Sequence, residues 1–173
     1  MMKTIVCFSI NLIIYCSALS QNRYKPVPIT TFISLFGKSI SNVDSVFSTY
    51  TAELDDLNEK DGTVSWKKGF NGDHSKNNEQ IFYHYRDSIP SFIYMFALGK
   101  LWSNDGSVDN TYEGYYQLEL RNAFYFTRLE DTIEKVGEKS AIVKNYQDKS
   151  SGDIIKVYKI SGADVTMIKI LKN

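Results

Sequence analysis

The chain has only two cysteines among its 173 residues, Cys7 and Cys16, both near the N-terminus. It has three prolines and two histidines, no charge excess of either sign, and no apolar run of the roughly twenty residues that a membrane span requires. Each shortage narrows the function. Both cysteines lie in "MMKTIVCFSINLIIYCSALSQ", which is built like a secretory signal: Lys3, then an apolar stretch from Ile5 to Ile14, then small Ala18 and Ser20 before a cut at Gln21. Residues 1–20 are therefore expected to be a signal peptide and 21–173 a single domain without cysteine. Such a domain has no thiol nucleophile, zinc-finger thiolates or iron–sulfur ligands. The alternatives for the leader are an uncleaved anchor and a lipid on Cys16. The bulky Ile13, Ile14 and Tyr15 before Cys16 do not suit a lipoprotein cleavage site. The expected location is exported, periplasmic or extracellular, with no stable membrane span once the signal is cleaved.

Lysine plus arginine equals aspartate plus glutamate at 20 each, so nothing resembles the basic balance of a nucleic-acid binder. What the chain does have is rings. Aromatic residues make up 14%, with twelve tyrosines, as suits a sheet that packs large side chains on a pleated surface.

After "QNRYKPVP", Thr30 or Thr31 is placed to cap a short helix, "TFISLFGK", ended by Gly37. Ile40, Val43, Val46, Phe47, Tyr50 and Leu54 then mark an amphipathic helix that Asp61–Gly62 stops. "TVSWKKGF" alternates like a strand. "QIFYHYR" and "SFIYMFAL" read as a hairpin around "DSIP", with a bend at Gly99–Lys100. For residues 111–137 the spacing predicts a long helix closed by Gly137, or a strand to Leu120 followed by a helix from Asn122; 123–136 is helical in either case. "AIVKNYQ", "DIIKVYKI" and "DVTMIKIL" read as a β-meander of two or three antiparallel strands. The expected fold class is α+β: an antiparallel sheet of about four to six strands with two or three helices packed on one face.

"FGKS" lacks the first glycine of a phosphate loop, since Phe32 holds that place. Loops centred on Gly62 and Gly106 put Leu57 and Leu101 where an EF-hand needs aspartate, and Lys68 and Tyr112 where it needs glutamate. His74 and His84 match no metal-ligand spacing, although Asp73, Glu79 and Asp87 are near in sequence. No Gly-x-Ser-x-Gly occurs, and the adjacent carboxylates Asp55–Asp56 and Glu130–Asp131 would point apart on a helix. No catalytic, metal or cofactor residue is assigned.

The aromatic clusters are the strongest remaining feature. Rings exposed on one sheet face would make a partner or ligand surface, and the candidates are Tyr83, Tyr85, Tyr94, Trp102, Tyr115 and Tyr116. The bland alternative is that these rings fill the core.

"FISLFGKSISNVDSVFSTY", then Trp66, then "SFIYMFALGKLW" resembles the small bacterial cell-envelope domains of the BamE (SmpA/OmlA) family, at Gly37, Val43, Trp66, Gly99 and Lys100. β-Lactamase-inhibitor proteins resemble the same unit used twice. Ser48-Thr49-Tyr50 stands where that family usually has Gly-x-Pro. The resemblance implies a non-enzymatic envelope domain that binds other proteins. The expected function is thus an exported binding domain with an unknown protein partner. The alternatives are a small apolar-ligand binder with an aromatic pocket and, third, a hydrolase.

Overall fold

The computed structural model describes residues 27–50, 57–68, 78–97, 116, 118–161 and 165–173. Two short helices, α1 (Ile29–Leu35) and α2 (Ile40–Tyr50), precede nine strands. These are β1 (Asn58–Lys60), β2 (Thr63–Lys68), β3 (Asn78–His84), β4 (Ser91–Ala97), β5 (Phe126–Arg128), β6 (Thr132–Val136), β7 (Lys139–Asp148), β8 (Ile154–Ile160) and β9 (Val165–Leu171). All nine belong to one antiparallel sheet in the order β1-β2-β3-β4-β9-β8-β7-β5, with β6 also paired to β7. The expectation of an α+β fold with four to six strands is corrected: the protein is mainly β.

The largest part of that correction falls on residues 123–136, expected to be helical. They form β5 and β6 instead, two pieces of one edge strand laid against β7. Arg128 pairs with Tyr146 and Thr132 with Val143, so four steps on the edge match three on β7. The extra residue is a bulge at 129–131. Asn145 holds it: its carbonyl accepts the Leu129 N–H at 2.9 Å, and its Nδ2 donates to the Glu130 carbonyl at 2.8 Å and to Thr132 Oγ1 at 3.1 Å. Gly137 is not a helix end. It opens the two-residue β6–β7 loop at φ 60, the conformation that the first position of a type II′ hairpin turn demands.

The helix ends also differ from expectation. Thr30 and Thr31 do not cap α1, which starts at Ile29 after Pro28 without a local side-chain cap. The Glu119 carboxylate does so from 90 positions away, accepting the Ile29 N–H at 3.0 Å. Gly37, at φ 77, turns the chain out of α1, and Ser39 then starts α2, its carbonyl accepting the Val43 N–H at 3.1 Å and its hydroxyl the Asn42 N–H at 3.4 Å. The α2 stripe was expected to run to Leu54 and stop at Asp61–Gly62. The helix ends at Tyr50, residues 51–56 lie outside the described residues, and Asp61–Gly62 joins β1 to β2. Both turn residues have positive φ, 51 and 78, as in a type I′ hairpin.

Alternation sorts the sheet into two faces. One ladder runs Val64, Tyr83, Phe92, Ile170, Ile155 and Tyr146 across six strands, and all six side chains are buried. Phe32 and Phe47 of the two helices pack on this face. Phe92 lies at its centre, stacked on Tyr83 with ring centres 4.1 Å apart and flanked by Phe32 at 5.4 Å, Phe36 at 5.2 Å and Phe47 at 6.2 Å. Trp66 meets Phe47 at 4.8 Å and donates its indole N–H to Asp44 Oδ1 at 2.9 Å, tying α2 to the sheet. The opposite face carries a smaller cluster: Ala141, Val143, Tyr158 and Met167.

Candidate functional site

The expected site residues fall in three places. Tyr83, Tyr94 and Tyr116 are buried, at no more than 5% exposure, so their rings build the core rather than a surface. Their hydroxyls are satisfied inside it: Tyr94 donates to Glu79 Oε2 at 2.6 Å, and Tyr116 to the Val27 carbonyl at 2.6 Å. Tyr85 is half-buried and hydrogen-bonds Glu59 on β1, with the Arg86 guanidinium 5.3 Å from its ring centre. Trp102 and Tyr115 lie outside the described residues, as do His74 and the Gly99–Lys100 bend.

His84 sits on the face away from the helices. Its Nδ1 is 3.0 Å from Thr63 Oγ1 and its ring stacks with Phe82. Among the described residues no three of His, Cys, Asp and Glu lie close enough together to share a metal ion. On the same face, Glu134 accepts from Lys156 Nζ at 2.7 Å and from the Tyr158 hydroxyl at 2.8 Å. Lys156, before all other partners, holds the Glu134 carboxyl below its ordinary range. Burial, and then Glu134 itself, push the Tyr158 hydroxyl well up. A depressed acid against a raised phenol leaves both groups fixed in one protonation state near neutral pH. Together they make a hydrogen-bonded network that ties β6 to β8.

Apolar side chains in water are concentrated elsewhere. Among the described residues, six of the eight large hydrophobic side chains that stand exposed fall between positions 118 and 142: Leu118, Phe124, Tyr125, Leu129, Ile133 and Ile142. Phe124 and Tyr125 lie in the turn before β5, Leu129 in the bulge, and Ile133 on β6 opposite Ile142 of β7. Phe124 is 78% and Tyr125 53% exposed, and their rings meet edge to face at 5.0 Å. The turn that carries them is pinned. The Asn122 side chain accepts the Phe124 N–H at 3.2 Å, and its carbonyl accepts the N–H of Tyr125 at 3.0 Å and of Phe126 at 3.1 Å. From the other side, Lys149 donates its backbone N–H to the Tyr125 carbonyl at 2.9 Å and its Nζ to the Ala123 carbonyl at 2.6 Å. Two large rings are thus displayed on a turn with little freedom left to lose, as a binding anchor requires.

Phe124 and Tyr125 are not among the residues selected from sequence, which expected a helix at 123–136. Asn122 is the signal that could have exposed them: it favours a turn as readily as a helix cap.

No protein family, no curated protein and no solved structure matches the chain. No described helix is long and apolar enough to cross a membrane.

Proposed function

We propose that the protein is an exported, non-enzymatic binding domain that engages a protein partner through the turn at 122–125. The exposed, rigidly held pair Phe124–Tyr125 carries this reading. Paired aromatic rings with apolar neighbours are costly to leave in water and are the side chains that dominate protein interfaces. Action outside the cytoplasm rests on the signal-like character of residues 1–20.

The test is site-specific photo-crosslinking in the native host, with the photoreactive residue at position 124 or at Ile89, which is 55% exposed in the β3–β4 turn, away from the β5–β6 end of the sheet order. A discrete adduct from position 124, absent from 89 and lost in a Tyr125→Ser background, is the expected result. Equal labelling from both positions would count against the proposal. So would an adduct indifferent to Tyr125.

A further inference from the structure

We propose that the β6 edge is a self-association site, at which a second copy of this chain adds its own β6 antiparallel across a two-fold axis through Ile133. This does not depend on the aromatic turn, and the two ideas can fail separately.

The backbone shows which groups are available. Among the described strands β6 pairs only with β7. A two-residue hairpin loop closes on a hydrogen-bonded pair, here Val136 and Lys139. By alternation Thr132, Glu134 and Val136 turn their N–H and C=O groups toward β7, whereas Ile133 and Lys135 turn theirs outward. Neighbouring bonds agree: Ser140 of β7 turns its carbonyl the other way, to the Ser161 N–H at 3.1 Å, and the Asn145 carbonyl faces the edge strand.

Side chains then choose the register. Residues directly opposite each other in an antiparallel pair point to the same face. Centring on Glu134 would oppose two carboxylates, and centring on Lys135 two ammonium groups. Centring on Ile133 opposes Ile133 to Ile133 and brings Asp131, at the end of the bulge and ion-paired with Arg128 of its own chain, near Lys135 of the second copy, twice by symmetry. On the other face it sets Thr132 beside the second copy's Glu134. Ile133 is 79% exposed, and its β7 neighbour Ile142, on the same face, is 50% exposed. The axis would bring four isoleucines together between two opposite-charge pairs, and like charges would penalise the two adjacent registers. The bulge at 129–131 ends regular pairing at Thr132, so the contact is short and the association weak.

Sedimentation equilibrium on the purified full chain, up to roughly 1 mM to suit so short an interface, tests this. The expected result is a reversible monomer–dimer equilibrium that Ile133→Lys abolishes. Lys135→Asp, which opposes two aspartates, should weaken it about tenfold, and adding Asp131→Lys to that variant should return most of the affinity. Circular dichroism checks that each variant is folded; the mutated side chains are exposed. A protein that stays monomeric throughout overturns the proposal, as does a dimer indifferent to Ile133→Lys. Failure of the charge swap to rescue overturns the Ile133 register. Replacing Phe124 and Tyr125 with serine should leave the equilibrium unchanged; a dimer lost in that variant means that copies meet through the turn instead.

Discussion

Phe92→Ala and Phe124→Ala remove the same ring from two sites that differ in what surrounds it. Phe92 is fully buried, stacked on Tyr83 and in ring contact with Phe32, Phe36 and Phe47. Truncating a buried phenylalanine costs about 3–5 kcal/mol through lost transfer energy and the cavity left behind. Four aromatic partners that cannot collapse together into the gap place the loss near the top of that range, about 4–5 kcal/mol. For a domain of this size that lowers Tm by roughly 10–15 °C. Phe124 is 78% exposed and touches only Tyr125 among the ring contacts described. Its truncation should move stability by no more than about 0.5 kcal/mol. Urea unfolding followed by far-ultraviolet circular dichroism measures both. A loss below about 1.5 kcal/mol for Phe92→Ala, or above that for Phe124→Ala, would refute the division between core rings and surface rings on which the binding proposal stands.

Glu119→Gln tests the remote cap of α1. Burial raises the Glu119 carboxyl above its ordinary range, against the opposing bonds from the Ile29 and Thr30 N–H groups. Between the ordinary value and the raised one the native state holds more protons than the unfolded state, so this group's contribution to stability falls as pH rises through that window. Thermal melts from pH 4 to pH 7 should therefore show the glutamine variant gaining on the parent, and a constant gap would contradict the assignment. Gly62→Ala should cost about 2 kcal/mol or more, because a Cβ there would lie 2.7 Å from Arg86 Cβ at φ 78. Gly37→Ala, at φ 77 with open space around it, should cost about 1 kcal/mol, and equal losses would remove the steric part of that account. Asn145→Ala deletes two donated bonds at the bulge and should cost about 1–3 kcal/mol. Hydrogen exchange should speed up at Leu129 while β8 stays protected, and uniform loosening of the sheet would argue against a local clasp.

Local alternation made the central hairpin legible: "QIFYHYR" and "SFIYMFAL" were expected as paired strands, and β3 and β4 occupy Asn78–His84 and Ser91–Ala97. It also placed Tyr83 and Phe82 on opposite faces, as found. The three strands of the tail were legible for the same reason. Residues 123–136 were not. Tyr125, Leu129 and Ile133 recur at helical spacing, and that spacing points to a helix only when the stripe is buried. Here all three are exposed. The bulge adds one residue to the edge strand and breaks its alternation, and the donor that holds it, Asn145, is far enough along the chain to be invisible to local pattern. Three of the six candidate surface residues were misplaced for want of the same long-range information. Tyr83, Tyr94 and Tyr116 were chosen for being aromatic, and only the packing of α1 and α2 decides that such rings are core.

The place of β9 has a consequence for how the protein is made. It lies between β4 and β8, and among the described strands nothing else joins β1–β4 to β5–β8. Until Val165–Leu171 is in place, a folding chain therefore carries two half-sheets, each with an open inner edge. Those edges are ladders of unpaired backbone groups lined with Phe92, Tyr94, Ile155 and Val157. A folding chain is thus most prone to aggregation while β9 is unplaced.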